Sequence, residues 1–131
     1  MKAKPQKTPL RRTLTATELE MMSVIWRLGP CTVSQVQEAL KPDRDLAYTS
    51  ISTIIRILEQ KGFVNSEKVG RGHHYSAAIS KQDYQALSLE ELLSKVFDDT
   101  PSLVVQRLLD SDRLSEKELA QIRALLRKKE A

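Results

Sequence analysis

The segment 48–62 most constrains the fold of this chain, because its apolar and polar residues fall on opposite faces of one helix. Four aliphatic residues recur with the spacing of a buried helical stripe. They are Ile51, Ile54, Ile55 and Leu58. The other face carries small hydroxyls and one arginine, namely Thr49, Ser50, Ser52, Thr53 and Arg56. Short hydroxyl side chains let a helix enter a groove and donate to phosphates or base edges. The segment therefore predicts a DNA-recognition helix.

A short hairpin is predicted directly after this helix. Strand-like runs at 63–68 and 73–78 flank a Gly-x-Gly tip within 69–72. Gly62, between the helix and the hairpin, is the residue type that best takes the left-handed backbone at a helix end.

Two more helices are predicted upstream, each opened by a capping box, at Thr15–Glu18 and Thr32–Gln35. A turn at 41–45 ends the second helix. We expect the following apolar residues of these helices to face inward: Leu19, Met22, Ile25, Trp26, Leu28, Val33, Val36 and Leu40. Three helices and a hairpin predict a mainly α fold with a small β-hairpin, the winged helix-turn-helix, whose third helix enters the major groove.

The C-terminal part is predicted to be three short amphipathic helices that open near Ser80, Thr100 and Ser115. About 50 residues of such helices bury little surface alone, so a second copy of the chain is the economical partner. The predicted dimerisation residues are Leu89, Leu92, Leu93, Val96, Phe97, Leu103, Val104, Leu108, Leu119, Ile122, Leu125 and Leu126.

The charge of the chain is unevenly distributed. Residues 1–80 hold 12 Lys and Arg against 7 Asp and Glu, whereas residues 81–131 hold 9 against 10. The basic excess therefore lies in the same part of the chain as the recognition helix, as a polyanion-binding surface requires. The domains are predicted as a flexible basic arm (1–13), a winged-helix domain (14–79) and a helical dimerisation domain (80–131). The arm is either a plain tail or a segment that tracks phosphates or the minor groove.

Composition argues against several other classes of protein. The lone Cys31 allows no disulfide within one chain. No apolar run is long enough for a membrane span or placed as in a secretory signal, so we expect a cytoplasmic protein without membrane contact. His73 and His74 are neighbours in a strand and point to opposite faces, so a DNA-backbone or packing role is favoured over a metal site, and no metal or cofactor is predicted. Cys31 is either a thiol of depressed pKa or a small turn residue. No constellation of acid, base and nucleophile indicates an enzyme.

Three stretches of the sequence resemble the penicillinase-repressor family, which comprises β-lactamase and methicillin-resistance repressors and a copper-responsive branch. They are Leu14-Thr-Ala-Thr-Glu-Leu-Glu20 with Trp26, the segment 49–62 with Gly70-Arg-Gly72 and Tyr75, and the segment 108–119. The resemblance runs from about Leu14 to Lys129. It implies a dimeric winged-helix repressor that occupies a palindromic operator and dimerises through its C-terminal helices. By position it also implies base contacts from the hydroxyl face of the recognition helix and a wing contact from Arg71.

The predicted DNA-contacting set combines these implied residues with the start of the second helix and one wing histidine. It is Thr32, Ser34, Thr49, Ser50, Ser52, Thr53, Arg56, Arg71 and His73. The alternative is a winged-helix protein-interaction module that binds an acidic partner without reading DNA sequence.

The chain departs from the family pattern in three places. Arg56 is followed by Ile57, where many members have consecutive basic residues. The Asn-Phe bond that is cut in antibiotic-responsive members corresponds to Gln106–Arg107, and the last residues, 127–131, lack the cysteines of the copper branch. The inducing signal is left open between an unknown regulatory protease, a metal and redox state.

Overall fold

The computed structural model describes residues 14–131, and the predicted basic arm lies outside them. It confirms the mainly α fold with one hairpin. The elements are α1 Ala16–Leu28, α2 Val33–Leu40, α3 Tyr48–Gln60, β1 Val64–Val69, β2 Gly72–Ala77, α4 Lys81–Lys95, α5 Pro101–Asp110 and α6 Glu116–Glu130. The chain divides into two compact units, one ending at Glu91 and one beginning at Leu92. No helix within residues 14–131 is long and apolar enough to cross a membrane.

Side-chain caps begin the helices where the sequence predicts them. Thr15 Oγ1 accepts from the Glu18 N–H at 3.1 Å while Glu18 accepts from the Thr15 N–H at 3.0 Å. Thr32 and Gln35 repeat this reciprocal pair at the start of α2. Single caps by Ser80 and Ser115 begin α4 and α6. Each cap satisfies backbone donors that have no partner inside the helix.

The core of the first unit is formed by the buried faces of α1, α2 and α3 together with the base of the hairpin. Its fully buried side chains are Phe63, Met21, Met22, Ile25, Ile51, Ile55, Leu58, Val36, Val64 and Cys31. This confirms the predicted buried stripe of α3, and Ile54 packs partly buried against it.

The prediction for α1 is wrong at two positions. Leu19 and Leu28 are 36% and 43% exposed, whereas Met21 and Val24 are buried. The buried stripe of α1 runs through Glu18, Met21, Met22 and Ile25, which share one helical face, and Leu19 and Leu28 lie beside it. Because apolar residues surround much of this helix, hydrophobicity alone did not locate the buried face.

Tyr84 of α4 is part of the core of the first unit. The Tyr84 ring lies 5.8 Å from Trp26 and 6.0 Å from Phe63, centroid to centroid. Its hydroxyl accepts a hydrogen bond from the Leu14 N–H at 2.9 Å. Trp26 is half-buried and donates its indole N–H to the Ile79 carbonyl at 2.9 Å. The start of α4 is thus fixed to the winged-helix core.

Several large apolar residues of the second unit are exposed. Neither α5 nor α6 contains a buried residue, and Val96 and Leu126 are 62% and 56% exposed. Asp98 and Asp99 both take positive φ values in the turn that precedes α5. A single chain therefore presents an unpartnered row of leucines and valines here.

A half-buried ion pair joins α1 to the end of α3. Lys61 Nζ lies 2.7 Å from Glu18 Oε2, and the Glu18 side chain is almost fully buried. Burial by itself raises the pKa of Glu18. The hydrogen bonds from Lys61 and Thr15 and the charge of Lys61 lower it by a larger amount, so the net pKa is below the ordinary value of 4.5.

We predict that Glu18→Gln lowers the free energy of unfolding by about 1–3 kcal/mol at pH 7, since Gln keeps the capping hydrogen bond and loses the charge that faces Lys61. Because the pKa of Glu18 is lowered on folding, its stabilisation is full above the unfolded value and is lost as pH falls through the folded one. Urea unfolding of both proteins from pH 7 to 3 should therefore show the difference disappearing in acid.

The matched control is Glu38→Gln, which breaks the exposed Lys41–Glu38 pair of 3.3 Å. Exposed pairs contribute little, so this change should stay within about 0.5 kcal/mol. An equal loss in the two variants, or a loss for Glu18→Gln that is as large at pH 3 as at pH 7, would contradict the assignment.

Candidate nucleic-acid interface

The outward face of α3 carries the predicted reading residues. At about 100° per residue, Thr49, Thr53 and Arg56 point away from the buried stripe, and all three are exposed. Ser50 lies on one flank of this face. Ser52 lies on the flank towards the hairpin, where its Oγ accepts from Arg56 Nη2 at 3.5 Å.

Arg71 occupies the tip of the hairpin. Val69 pairs with Gly72, so the turn consists of Gly70 and Arg71 alone. Gly70 has a φ of +63°, a conformation that is strained for residues with a side chain, while Arg71 does not take a positive φ. This is the pattern of a type II′ turn, which suits the twist of a two-stranded hairpin. The glycine thus allows the tight turn that places the exposed Arg71 at the tip of the wing.

Two backbone hydrogen bonds fasten the hairpin to the start of α2. The Cys31 N–H donates to the Tyr75 carbonyl at 2.9 Å, and the Tyr75 N–H donates to the Cys31 carbonyl at 2.7 Å. The Cys31 thiol also lies 3.8 Å from the Tyr75 carbonyl oxygen. This bridge, which we call the Cys31–Tyr75 bridge, sets the distance between the wing and the first turn of α2.

A cleft of about 330 Å³ lies between α2, α3 and the hairpin, immediately above this bridge. Val33 and Gly72 form its apolar and backbone walls. Its polar side chains come from all three elements and include no carboxylate: Thr32, Tyr48, Ser52, Arg56, Arg71, His73 and Tyr75. We call it the wing cleft.

The wing cleft brings together five of the nine predicted DNA-contacting residues, and Thr49, Ser50 and Thr53 lie on the adjoining surface of α3. Ser34 lies elsewhere, in a groove of about 500 Å³ beside Leu28 and Glu38. Sequence reasoning did not select Tyr48, which is 50% exposed and lines the cleft. Its spacing of four and eight residues from Ser52 and Arg56 was the signal that it shares their face.

Some cations of the winged-helix part have a carboxylate partner and others have none. Lys41, Arg44 and Lys61 are held by glutamates within 4 Å. Within residues 14–131, neither Arg56 nor Arg71 has a carboxylate partner, so both guanidinium groups are available to an anion.

The profile of the penicillinase repressor family matches residues 14–128. The chain belongs to this family. It is accordingly a DNA-binding transcriptional repressor with a winged-helix domain. The chain is 29% identical to the penicillinase repressor of Bacillus licheniformis over 113 residues, which cover 86% of this chain and 88% of that protein. It is 24% identical to the methicillin resistance regulatory protein MecI of Mammaliicoccus sciuri over 116 residues, 88% of this chain and 94% of that one.

Among solved structures, the chain is similar to the monomeric form of Bacillus licheniformis BlaI in complex with the blaP half-operator. The two are 30% identical with a TM-score of 0.48, over 56% of this chain and 89% of that one.

Cys31 and the two histidines have settled positions in this fold. Cys31 is buried in the core and burial raises the pKa of its thiol, so the interpretation as a thiol of depressed pKa is wrong.

His73 is exposed, with its ring centroid 6.4 Å from that of Tyr75, and its strand partner is Lys68. His74 is paired with Glu67 of the same neighbouring strand, and its side chain lies on the opposite face of the hairpin from that of His73. Residues 14–131 contain no group of three or more His, Cys, Asp or Glu that could hold a metal.

We predict that the Cys31 thiol is unreactive in the native protein, because it is inaccessible and protonated. A chromogenic disulfide reagent at pH 8 should release no signal within minutes from the folded chain and one equivalent after unfolding in guanidinium. Ser34→Cys adds an exposed thiol three residues away and should react at once. Rapid reaction of the unmodified chain would mean that the bridge opens readily.

Proposed function

We propose that this chain acts as a homodimer that represses transcription from a two-fold symmetric operator, with α3 reading bases and the wing cleft holding the DNA backbone. The observation that carries the proposal is the grouping of small hydroxyls and two unpaired arginines on one side of the first unit. Ordinary exposed helix faces carry mixed Glu and Lys instead. The B-DNA major groove, about 12 Å wide, admits a helix with such short side chains.

Base recognition is assigned to the outermost residues of α3. Thr49 and Thr53 present a hydroxyl and a methyl group, which suit a base-edge hydrogen bond and a contact with the thymine methyl. Arg56 reaches further and can pair with guanine through two donors. These three residues lie one helical turn apart, so they would contact neighbouring base pairs.

Dimerisation is assigned to the uncovered apolar residues of the second unit. Large apolar side chains that are exposed on the second unit, such as Val96, Leu125 and Leu126, favour association. A second copy with the same row gives a closed two-fold interface. It would place two recognition helices roughly 34–36 Å apart, or a multiple of this, so that each protomer meets one half-site. Any signal that separates the protomers, a regulatory protease included, would then weaken operator binding.

The test is selection of duplexes from a randomised pool by the full-length chain, followed by fluorescence anisotropy on the selected and a shuffled duplex over a salt series. The proposal expects an inverted repeat and a preference of about 10³-fold or more for it. Binding without enrichment of any sequence would contradict specific recognition. Absence of binding at low salt would favour the protein-interaction module.

We predict that Thr53→Ala weakens binding to the selected site by about 1–3 kcal/mol and leaves binding to the shuffled duplex unchanged, because only base-edge contacts carry sequence information. Alanine is a better helix former than threonine, so folding should not suffer. Anisotropy titrations on the two duplexes measure both quantities. Equal losses on both would remove Thr53 from base readout.

We predict that Leu126→Asp converts the dimer to a monomer, since a carboxylate would be buried in the proposed apolar interface. Ala124→Asp is the control, because residue 124 lies about 200° around α6 from residue 126 and is exposed. Sedimentation velocity should report a monomer for the first variant and a dimer for the second. Affinity for the full operator should fall at least tenfold with Leu126→Asp, while affinity for a half-site stays constant. A dimer in both variants would place the interface elsewhere.

A further inference from the structure

The positive net charge of this chain comes from the basic arm, residues 1–13. Residues 14–80 hold seven Lys and Arg against seven Asp and Glu, and residues 81–131 hold 9 against 10. The formal net charge of +4 therefore depends entirely on the arm. Without it, the chain would have no long-range attraction for a polyanion. The arm has no carboxylate, and its five cations are Lys2, Lys4, Lys7, Arg11 and Arg12.

The arm joins the first unit at a fixed point beside the end of α3. Leu14 packs partly buried against the core, and its N–H donates to the Tyr84 hydroxyl at 2.9 Å. The next residue, Thr15, donates its N–H to the Glu18 carboxylate. The same carboxylate lies 2.7 Å from Nζ of Lys61, the C-cap residue of α3. Two successive backbone N–H groups thus hold the base of the arm near the C-terminal end of the recognition helix.

Tyr84 holds its hydroxyl in place independently of the arm. Its ring is buried and packs against Trp26 of α1 at 5.8 Å and against Phe63 at 6.0 Å, centroid to centroid. Both neighbours belong to the winged-helix part, so the acceptor for the Leu14 N–H is positioned by the core. The direction in which the chain leaves Leu14 is therefore set by the fold.

We propose that the basic arm is a second DNA-binding element that contacts phosphates outside the half-site and supplies the larger share of sequence-independent affinity, an inference that rests on the proposed function for its partner, DNA. Lys and Arg that neutralise phosphates release counterions, which gives affinity without reading bases. Thirteen extended residues span at most roughly 45 Å. The 13 residues of α3 are about 20 Å long, so the arm is long enough to pass the whole helix.

The arm and the wing cleft meet α3 at different ends. The wing cleft includes Tyr48, the first residue of α3, whereas the base of the arm lies beside Lys61, just after its last residue. Backbone contacts at both ends would hold the helix along the groove, while contacts at one end alone would let it tilt. Phosphate contacts of this kind orient a protein on the duplex and leave base readout to the helix.

The first experiment replaces all five arm cations with glutamine in the full chain. Fluorescence anisotropy is measured over a salt series on a single half-site of the selected duplex and on a shuffled duplex of equal length. We expect the slope of log K against log salt to become shallower by about 2–4 on both, because each lost phosphate contact removes about 0.9. Affinity at 0.1 M salt should fall at least tenfold on both duplexes, so the preference for the half-site is unchanged.

The matched control replaces five exposed cations of α6 with glutamine, which gives the same net charge at a different place. The half-site probe keeps any effect on dimerisation out of the comparison. Thermal melting of each variant checks that the fold is retained. The control should change the slope by less than about 1. Its five positions are Lys117, Arg123, Arg127, Lys128 and Lys129.

The second experiment tests Tyr84 as a positioning residue for the arm. Tyr84→Phe keeps the ring contacts and removes the acceptor of the Leu14 N–H. We expect it to weaken half-site binding about threefold in the chain with the basic arm, because a less fixed arm has a lower effective concentration at the phosphates. In the chain with the glutamine arm the same change should cost nothing. An equal loss in both backgrounds would mean that Tyr84 acts through the core, and would remove it from positioning the arm.

The outcomes separate the arm from the proposed function. A flatter slope for the glutamine arm on both duplexes, without one for the α6 control, supports the arm as a sequence-independent element. An unchanged slope, or equal changes in the two variants, overturns it even where a specific operator is found. A loss confined to the half-site would mean that the arm reads bases, which also overturns it. A failure of duplex selection together with a flatter slope overturns the proposed function and retains the arm as a DNA-binding element.

Discussion

The Cys31–Tyr75 bridge is the interaction on which the geometry of the interface depends. A two-stranded hairpin is marginal by itself, and this one has six-residue strands with no third neighbour in the described fold. Two short backbone hydrogen bonds at its midpoint join it to the residue that precedes the α2 cap. Arg71, four residues before Tyr75, and Thr32, one residue after Cys31, are brought to the same cleft as a result. Cys31 itself is buried in the core of the first unit, so the bridge is joined directly to that core.

The helical periodicity of α3 gives this helix one face that packs in the core and one face that is exposed to solvent. Ile51, Ile55 and Leu58 are fully buried, which fixes the rotation of α3 about its axis. Because that rotation is fixed, the residues on the opposite face of α3 are exposed to solvent. These exposed residues are hydroxyl side chains and an arginine. The Glu18–Lys61 pair ties the end of the same helix to α1. Packing on the inner face therefore determines the geometry of the outer one.

Local patterns in the sequence predict most of this fold. The capping boxes, the glycines at positions 62 and 70 and the α3 stripe act over a few residues, so their consequences are visible without tertiary structure. The burial of Tyr84 and the exposure of Leu19 depend on contacts between distant segments, and no local pattern encodes them. The same holds for the wing cleft as a whole: its residues come from positions 32 to 75, and only the tertiary fold brings the start of α2, the face of α3 and the hairpin together.

The charge distribution explains why the positions of the Lys and Arg side chains matter more than their number in this interface. Residues 14–80 hold seven Lys and Arg and seven Asp and Glu, so the winged-helix part has no net charge, and the basic excess of the first 80 residues comes from positions 1–13. Three of the seven cations are held by glutamates. A neutral domain attracts a polyanion weakly over long distances. The described part of the chain must therefore gain its affinity for DNA at short range. The proposed source is the pair of unpaired arginines in the carboxylate-free wing cleft, which the proposed dimer would present twice.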